Sequence, residues 1–116
     1  MVFKVVRSAD SDRDIGLILD HLIESYIALG DPLTDAFDRA AARLHAIEAD
    51  MEALAQAPYQ GTLLSSVAPG LRQVTKNRAI FYCDLDEERQ VLRVLAIFFG
   101  GREHLRRYLT RFGRAE

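Results

Sequence analysis

Ten basic side chains lie between Gly61 and Glu116 against six acidic ones, whereas Met1 to Gln60 carries five basic and eleven acidic. The second half is therefore net +4 and the first net −6. The cations that attract attention are Arg72 and Lys76, four residues apart, and Arg102, Arg106 and Arg107 near the end, interspersed with His104 and Tyr108. Guanidinium and ammonium groups gathered in this way suit an acidic partner, whether an acidic peptide, a nucleic acid or an acidic surface on an enzyme. Ordinary solvated faces are the simpler alternative.

Other chemistry has little footing. There is no Gly-rich phosphate loop followed by Lys-Ser/Thr, no cysteine pair for zinc, and no Ser or Cys in a triad context. No cofactor is implied. Asp84, Asp86, Glu87 and Glu88 read as a charged hairpin turn rather than a cation site, and His21 and His45 are too isolated from other ligands to suggest a metal. The single cysteine, Cys83, sits in a strand pattern with no possible intrachain disulfide partner, which fits a reducing compartment and a small buried side chain. Tyr82 reads as a core anchor with its hydroxyl at the edge.

These groups must be positioned by a small framework. The 116 residues, about half apolar and about a quarter charged, allow one domain over residues 1–116 with a thin core. No apolar run reaches spanning length and no secretory leader is evident, so a cytoplasmic protein without membrane contact is expected.

Val2 to Val6 is short and β-branched, a strand. Ser8, Asp10, Ser11 and Asp12 then offer side-chain oxygens to a helix start. Ile15, Ile18, Leu19, Leu22, Ile23, Tyr26 and Ile27 mark one helix face, which should end at Leu29-Gly30. Asp31 should cap the next helix, with Pro32 in its first turn. That helix carries Phe37, Ala40, Ala41, Leu44, Ile47, Met51 and Leu54 on one side, and Ala36, Ala40 and Ala41 permit close approach to the first as an antiparallel hairpin. From Gly61 to Gly70 a loop is held by Leu63, Leu64 and Val67. Leu71 to Thr75 and Arg78 to Asp84 are strands around a Lys76-Asn77 turn. Gln90 to Phe99, the most apolar segment, should be a central strand. Arg102 to Arg111 fits a short terminal helix with Leu105, Tyr108 and Leu109 inward.

The order of elements, together with Gly70-Leu71-Arg72, Ile80-Phe81-Tyr82, Val91 to Leu95 and Gly101-Arg102-Glu103, resembles the RelE/ParE toxin superfamily across nearly the whole chain. The resemblance implies an α+β fold: an N-terminal strand, an antiparallel two-helix hairpin, a curved antiparallel sheet and a short C-terminal helix. It also implies one of two mechanisms. RelE-like members cut mRNA on the ribosome with several basic side chains and often a C-terminal Tyr or His. ParE-like members poison DNA gyrase without catalysis.

For the nuclease, Arg72, Arg102 and Tyr108 fall at matching positions, and His104 is a further candidate as a general acid or base. However, Val74 and Ala79 stand where the resemblance expects basic residues on the strands. Each missing donor to a pentacoordinate phosphate would sacrifice about 2–4 kcal/mol of stabilisation. A sequence pI of about 5.9 is also unlike the strongly basic footprint of a ribosome-docking protein. The ParE-like reading is therefore favoured, with Arg72, Lys76, Arg102, Arg106, Arg107 and Tyr108 as the target-binding set. Either mechanism implies a cognate antitoxin whose C-terminal segment folds on the toxin as a helix or added strand. A relative that binds its antitoxin but has lost toxicity is a third possibility.

Overall fold

In the computed structural model, which describes residues 3–100, the chain runs β1 (Lys4–Arg7), α1 (Ala9–Ala28), α2 (Leu33–Ala53), a short 3-10 turn (Leu54–Gln56), then β2 (Thr62–Leu63), β3 (Arg72–Lys76), β4 (Ala79–Asp86) and β5 (Val91–Phe99). The five strands form one sheet in the order β1-β5-β4-β3-β2. Strands β2 to β5 pair antiparallel, and β1 joins β5 in parallel after the helical hairpin, so the sheet is mixed. The expected terminal helix falls outside the described residues.

Both faces of the sheet are covered. Ile18 and Leu22 of α1, and Ala40, Ile47 and Met51 of α2, pack with Leu54 on Val74, Ala79, Phe81, Cys83, Leu92, Val94 and Ile97. On the opposite face Leu71, Ile80, Tyr82, Ala96 and Phe98 form a second cluster beneath Leu64, Val67 and Ala68 of the 64–71 loop. The expected anchored loop is thus a lid on the sheet, with two of its residues paired to β3 as β2. This double cover explains why the middle of β4 is continuously apolar rather than alternating, and why the most apolar segment, β5, lies inside the sheet.

Three local expectations need adjustment. Pro32, not Asp31, occupies the cap position of α2, and the Asp31 carboxylate instead accepts from Arg39 at 2.6 Å. Phe37 is half exposed, because Ala36 and Ala40 set the face of α2 that meets its neighbours. The β3–β4 turn is centred on Asn77 and Arg78, whose φ values of 51° and 71° are the left-handed pair of a tight hairpin turn. Arg78 therefore belongs to the turn and not to the strand.

A bulge lies at the heart of the sheet. Tyr82 faces Ala96 while Cys83 faces Val94, so Leu95 is an extra residue in β5. The inward phase shifts across it: Leu92 and Val94 point to the helices, and so do Ile97 and Phe99. The start of α1 closes the gap. Ser8 caps the helix by accepting from Ser11 N–H at 3.0 Å, and its hydroxyl donates to the Leu95 carbonyl at 3.2 Å. Asp14, almost wholly buried, accepts the Ile97 N–H at 2.9 Å. The polar residues at the start of α1 therefore serve the sheet as well as the helix end.

Candidate functional site

Cross-strand partners share a face, so Arg72 opposite Cys83, Val74 opposite Phe81 and Lys76 opposite Ala79 all lie on the helix-facing side. Along β3, Arg72 and Lys76 are separated by about 13 Å of extended chain, with buried Val74 between them. The strand therefore does not bring its two cations together. Val74 and Ala79, the two positions where basic residues were expected for a nuclease, are both part of the core beneath the helices.

Arg72 is engaged at one end of this face. Its guanidinium donates to the Tyr59 carbonyl at 2.9 Å and lies 5.6 Å from the centre of the Tyr59 ring, which meets Phe3 edge-on. The Tyr59 hydroxyl bonds to Glu87, and that bond, with some burial and the Glu87 charge, holds the phenol above its usual pKa. These groups, with Leu63, Gly70 and Leu85, line a shallow depression of about 190 Å³. Asp84 and Asp86 of the acidic turn are also occupied. Asp84 takes a bidentate pair from Arg93 directly across the hairpin, both bonds 2.8 Å, and Asp86 pairs with Arg89 at 3.3 Å.

A more concentrated set of cations lies at the opposite end, where the helical hairpin passes the β3–β4 turn and the end of β5. His21, Leu22, Ser25, Tyr26, Leu29, Arg43, Arg78 and Phe99 enclose a recess of about 280 Å³. Two guanidinium carbons, of Arg43 and Arg78, lie 5.3 and 5.7 Å from the centre of the Phe99 ring, and the His21 ring is tilted against it at 6.4 Å. Aromatic faces attract cations, so Phe99 helps gather these groups. Arg43 is steadied by donating to the Asn77 carbonyl at 2.8 Å, and Asn77 in turn donates to Asp50. Beside the recess, Arg39 stacks 4.1 Å over the Tyr26 ring.

Sequence reasoning missed this recess. Arg43 and Arg78 are 35 positions apart, and Arg78 was placed in a strand, where its side chain would alternate away. The Asn77 preceding it, a residue that tolerates positive φ, was the available signal. Lys76 lies on the half-buried end of β3. Arg102, His104, Arg106, Arg107 and Tyr108 lie outside the described residues. His45 is exposed on α2 and 3.7 Å from Glu48. Tyr82 is a core residue, edge-on to Phe98 at 5.6 Å.

Cys83 is buried, and its thiol is pushed up to about 11, first by burial and then by the nearby Asp84 charge. Ionisation from an ordinary value of 9.0 in the unfolded chain then precedes ionisation in the folded one. Its contribution to stability is complete below pH 9 and lost as pH rises towards about 11. Denaturant titrations across that window should show wild type losing up to about 2–3 kcal/mol more than Cys83→Ala. Parallel pH profiles would contradict this assignment.

With this geometry in view, the relatives are structural. No protein-family model matches the chain, and no curated protein sequence matches it. The fold is nonetheless that of the RelE/ParE-like toxins. The toxin–antitoxin complex RelBE2 from Mycobacterium tuberculosis contains a chain that superposes with a TM-score of 0.62 at 14% identity, covering 86% of this chain and 100% of that one. A chain of the chromosomal ParDE toxin–antitoxin system from P. aeruginosa gives 0.64 at 19% identity, over 86% and 98%. Among the described residues no helix is long and apolar enough to cross a membrane.

Proposed function

We propose that this chain is the toxin of a type II toxin–antitoxin pair, that it is ParE-like, and that it acts by binding DNA gyrase rather than by catalysis. A cognate antitoxin holds it inactive. The observation that carries the choice of mechanism is the burial of Val74 and Ala79 beneath the helices. A ribonuclease of the RelE-like kind would draw phosphate-neutralising cations from those strand positions, and here the positions supply apolar packing. Arg72 is directed to Tyr59 instead. The similarity to a ParDE chain and to a RelBE2 chain supports the toxin reading without distinguishing the two mechanisms.

The target-binding surface is assigned to Arg102, Arg106, Arg107 and Tyr108, supported by Arg72 and Lys76. Replacing Arg102 and Arg106 together with glutamine should abolish growth inhibition, a loss of at least tenfold in potency, while leaving antitoxin binding intact, as pull-down with the antitoxin would report. Retained toxicity would remove that assignment.

The alternative, a ribosome-dependent endoribonuclease using Arg72, Arg102, His104 and Tyr108, is tested by mapping transcripts during growth arrest. Intact translated mRNA is expected. Cleavage within codons would overturn the gyrase reading, and antitoxin binding without growth arrest would mark a non-toxic relative.

A further inference from the structure

The recess between the helical hairpin and the end of β5 brings two guanidinium groups to one concave space, whereas Lys4, Arg72 and Lys76, which also take part in no ion pair among the described residues, are not gathered there. Arg7, Arg13, Arg39, Arg89 and Arg93 each pair with a carboxylate. Among the described residues, Arg43 and Arg78 take part in no ion pair. Two guanidinium groups, neither in an ion pair, thus border one concave space beside the His21 ring, held near an aromatic ring. Such an arrangement is built to receive an oxyanion, because guanidinium donors form their strongest bonds with carboxylate or phosphate.

The surroundings favour carboxylate. The recess is walled by Leu22, Leu29 and Phe99. At the hairpin tip Leu29 and Leu33 are 77% and 68% exposed, and Phe37, one turn along α2 from Leu33, is 49% exposed. Uncovered apolar surface of this kind beside a charged pocket suits a peptide that buries leucine-like side chains. A polyphosphate backbone would gain little from it. Asp20, Glu24, Asp35 and Asp38 on the same two helices, within a half of the chain that is net −6, also oppose a run of phosphates more than a single carboxylate.

We propose that the recess formed by His21, Arg43, Arg78 and Phe99 is a carboxylate-binding pocket. It receives an acidic side chain of a peptide partner whose neighbouring apolar residues cover Leu29, Leu33 and Phe37. The proposal rests on the reading of this chain as a protein held by an antitoxin, and it specifies the chemistry of that contact: an isolated Glu or Asp set among apolar residues.

The test uses the full chain and a synthetic peptide carrying one glutamate among leucines at helical spacing, with a glutamine-for-glutamate counterpart and a mixed-sequence oligoribonucleotide as comparisons. Binding is followed by fluorescence anisotropy of the labelled probe. Arg78→Gln and Arg43→Gln are measured beside wild type; Arg78→Gln leaves the Arg43 bond to the turn in place, and circular dichroism verifies the fold of each. The expected result is binding of the glutamate peptide that weakens about tenfold or more in Arg78→Gln and equally when glutamine replaces glutamate. Equal binding of the two peptides, no binding, or no effect of either variant would overturn the proposal. Tighter oligoribonucleotide binding, lost in the same variants, would also overturn it and make the recess a phosphate site. The antitoxin reading fails separately: a chain that neither arrests growth nor is neutralised by a neighbouring gene product loses that reading, whatever the peptide does.

Discussion

Replacing Ala79 with arginine is expected to unfold much of the protein rather than to equip it for RNA cleavage. Ala79 is fully buried, opposite Lys76 on one strand and Phe99 on the other, in the cluster under α1 and α2. A guanidinium there would overfill a packed site and, if it stayed inside, sit without a carboxylate partner. Together these effects cost about 4 kcal/mol, a large part of the stability of a domain this size. Urea titration should show the midpoint falling accordingly. A stable variant that gained cleavage of translated mRNA would mean that position 79 can reach a substrate, and the main argument against the nuclease would fail.

Asp14→Ala is expected to be nearly as damaging, for a different reason. The carboxylate receives the Ile97 N–H at the point where the Leu95 bulge breaks the regular β4–β5 ladder. Removing it leaves a buried donor without that acceptor and opens a gap between α1 and β5, a loss of about 2–3 kcal/mol, or roughly 10 °C in melting temperature. Asp14→Asn should recover part of this, since the amide oxygen can still accept. An alanine variant that melts with the wild type would show that the bulge does not depend on α1.

The contrast between these two positions explains what the sequence could disclose. Period-three-and-four spacing from Ile15 to Tyr26 and the apolar run from Val91 to Phe99 identified α1 and the central strand, because burial on one face or two leaves a local imprint. The role of Asp14 left no such imprint. A polar residue near a helix start looks like an end-capping device, and its partner is 83 positions away. Phe37 was misplaced because the small Ala36 and Ala40, not the large side chain beside them, define the packed face of α2. The site was harder still. Arg72 was found through a strand motif, but the gathering of His21, Arg43 and Arg78 around Phe99 depends on a left-handed turn at Asn77-Arg78 and on how the hairpin crosses the sheet. The turn leaves only Asn77 as a local signal, and the crossing is written in no single segment.

Purified full-length protein, incubated with DNA gyrase and plasmid, tests the central claim most directly. The account predicts loss of supercoiling activity together with accumulation of cleaved plasmid, absent with denatured protein. Gyrase that supercoils normally and releases no cleaved DNA, in the presence of a chain that does arrest growth in cells, would contradict it. Attention would then pass to ribosome-dependent RNA cleavage, with Arg72, Arg102 and Tyr108 as the groups to replace.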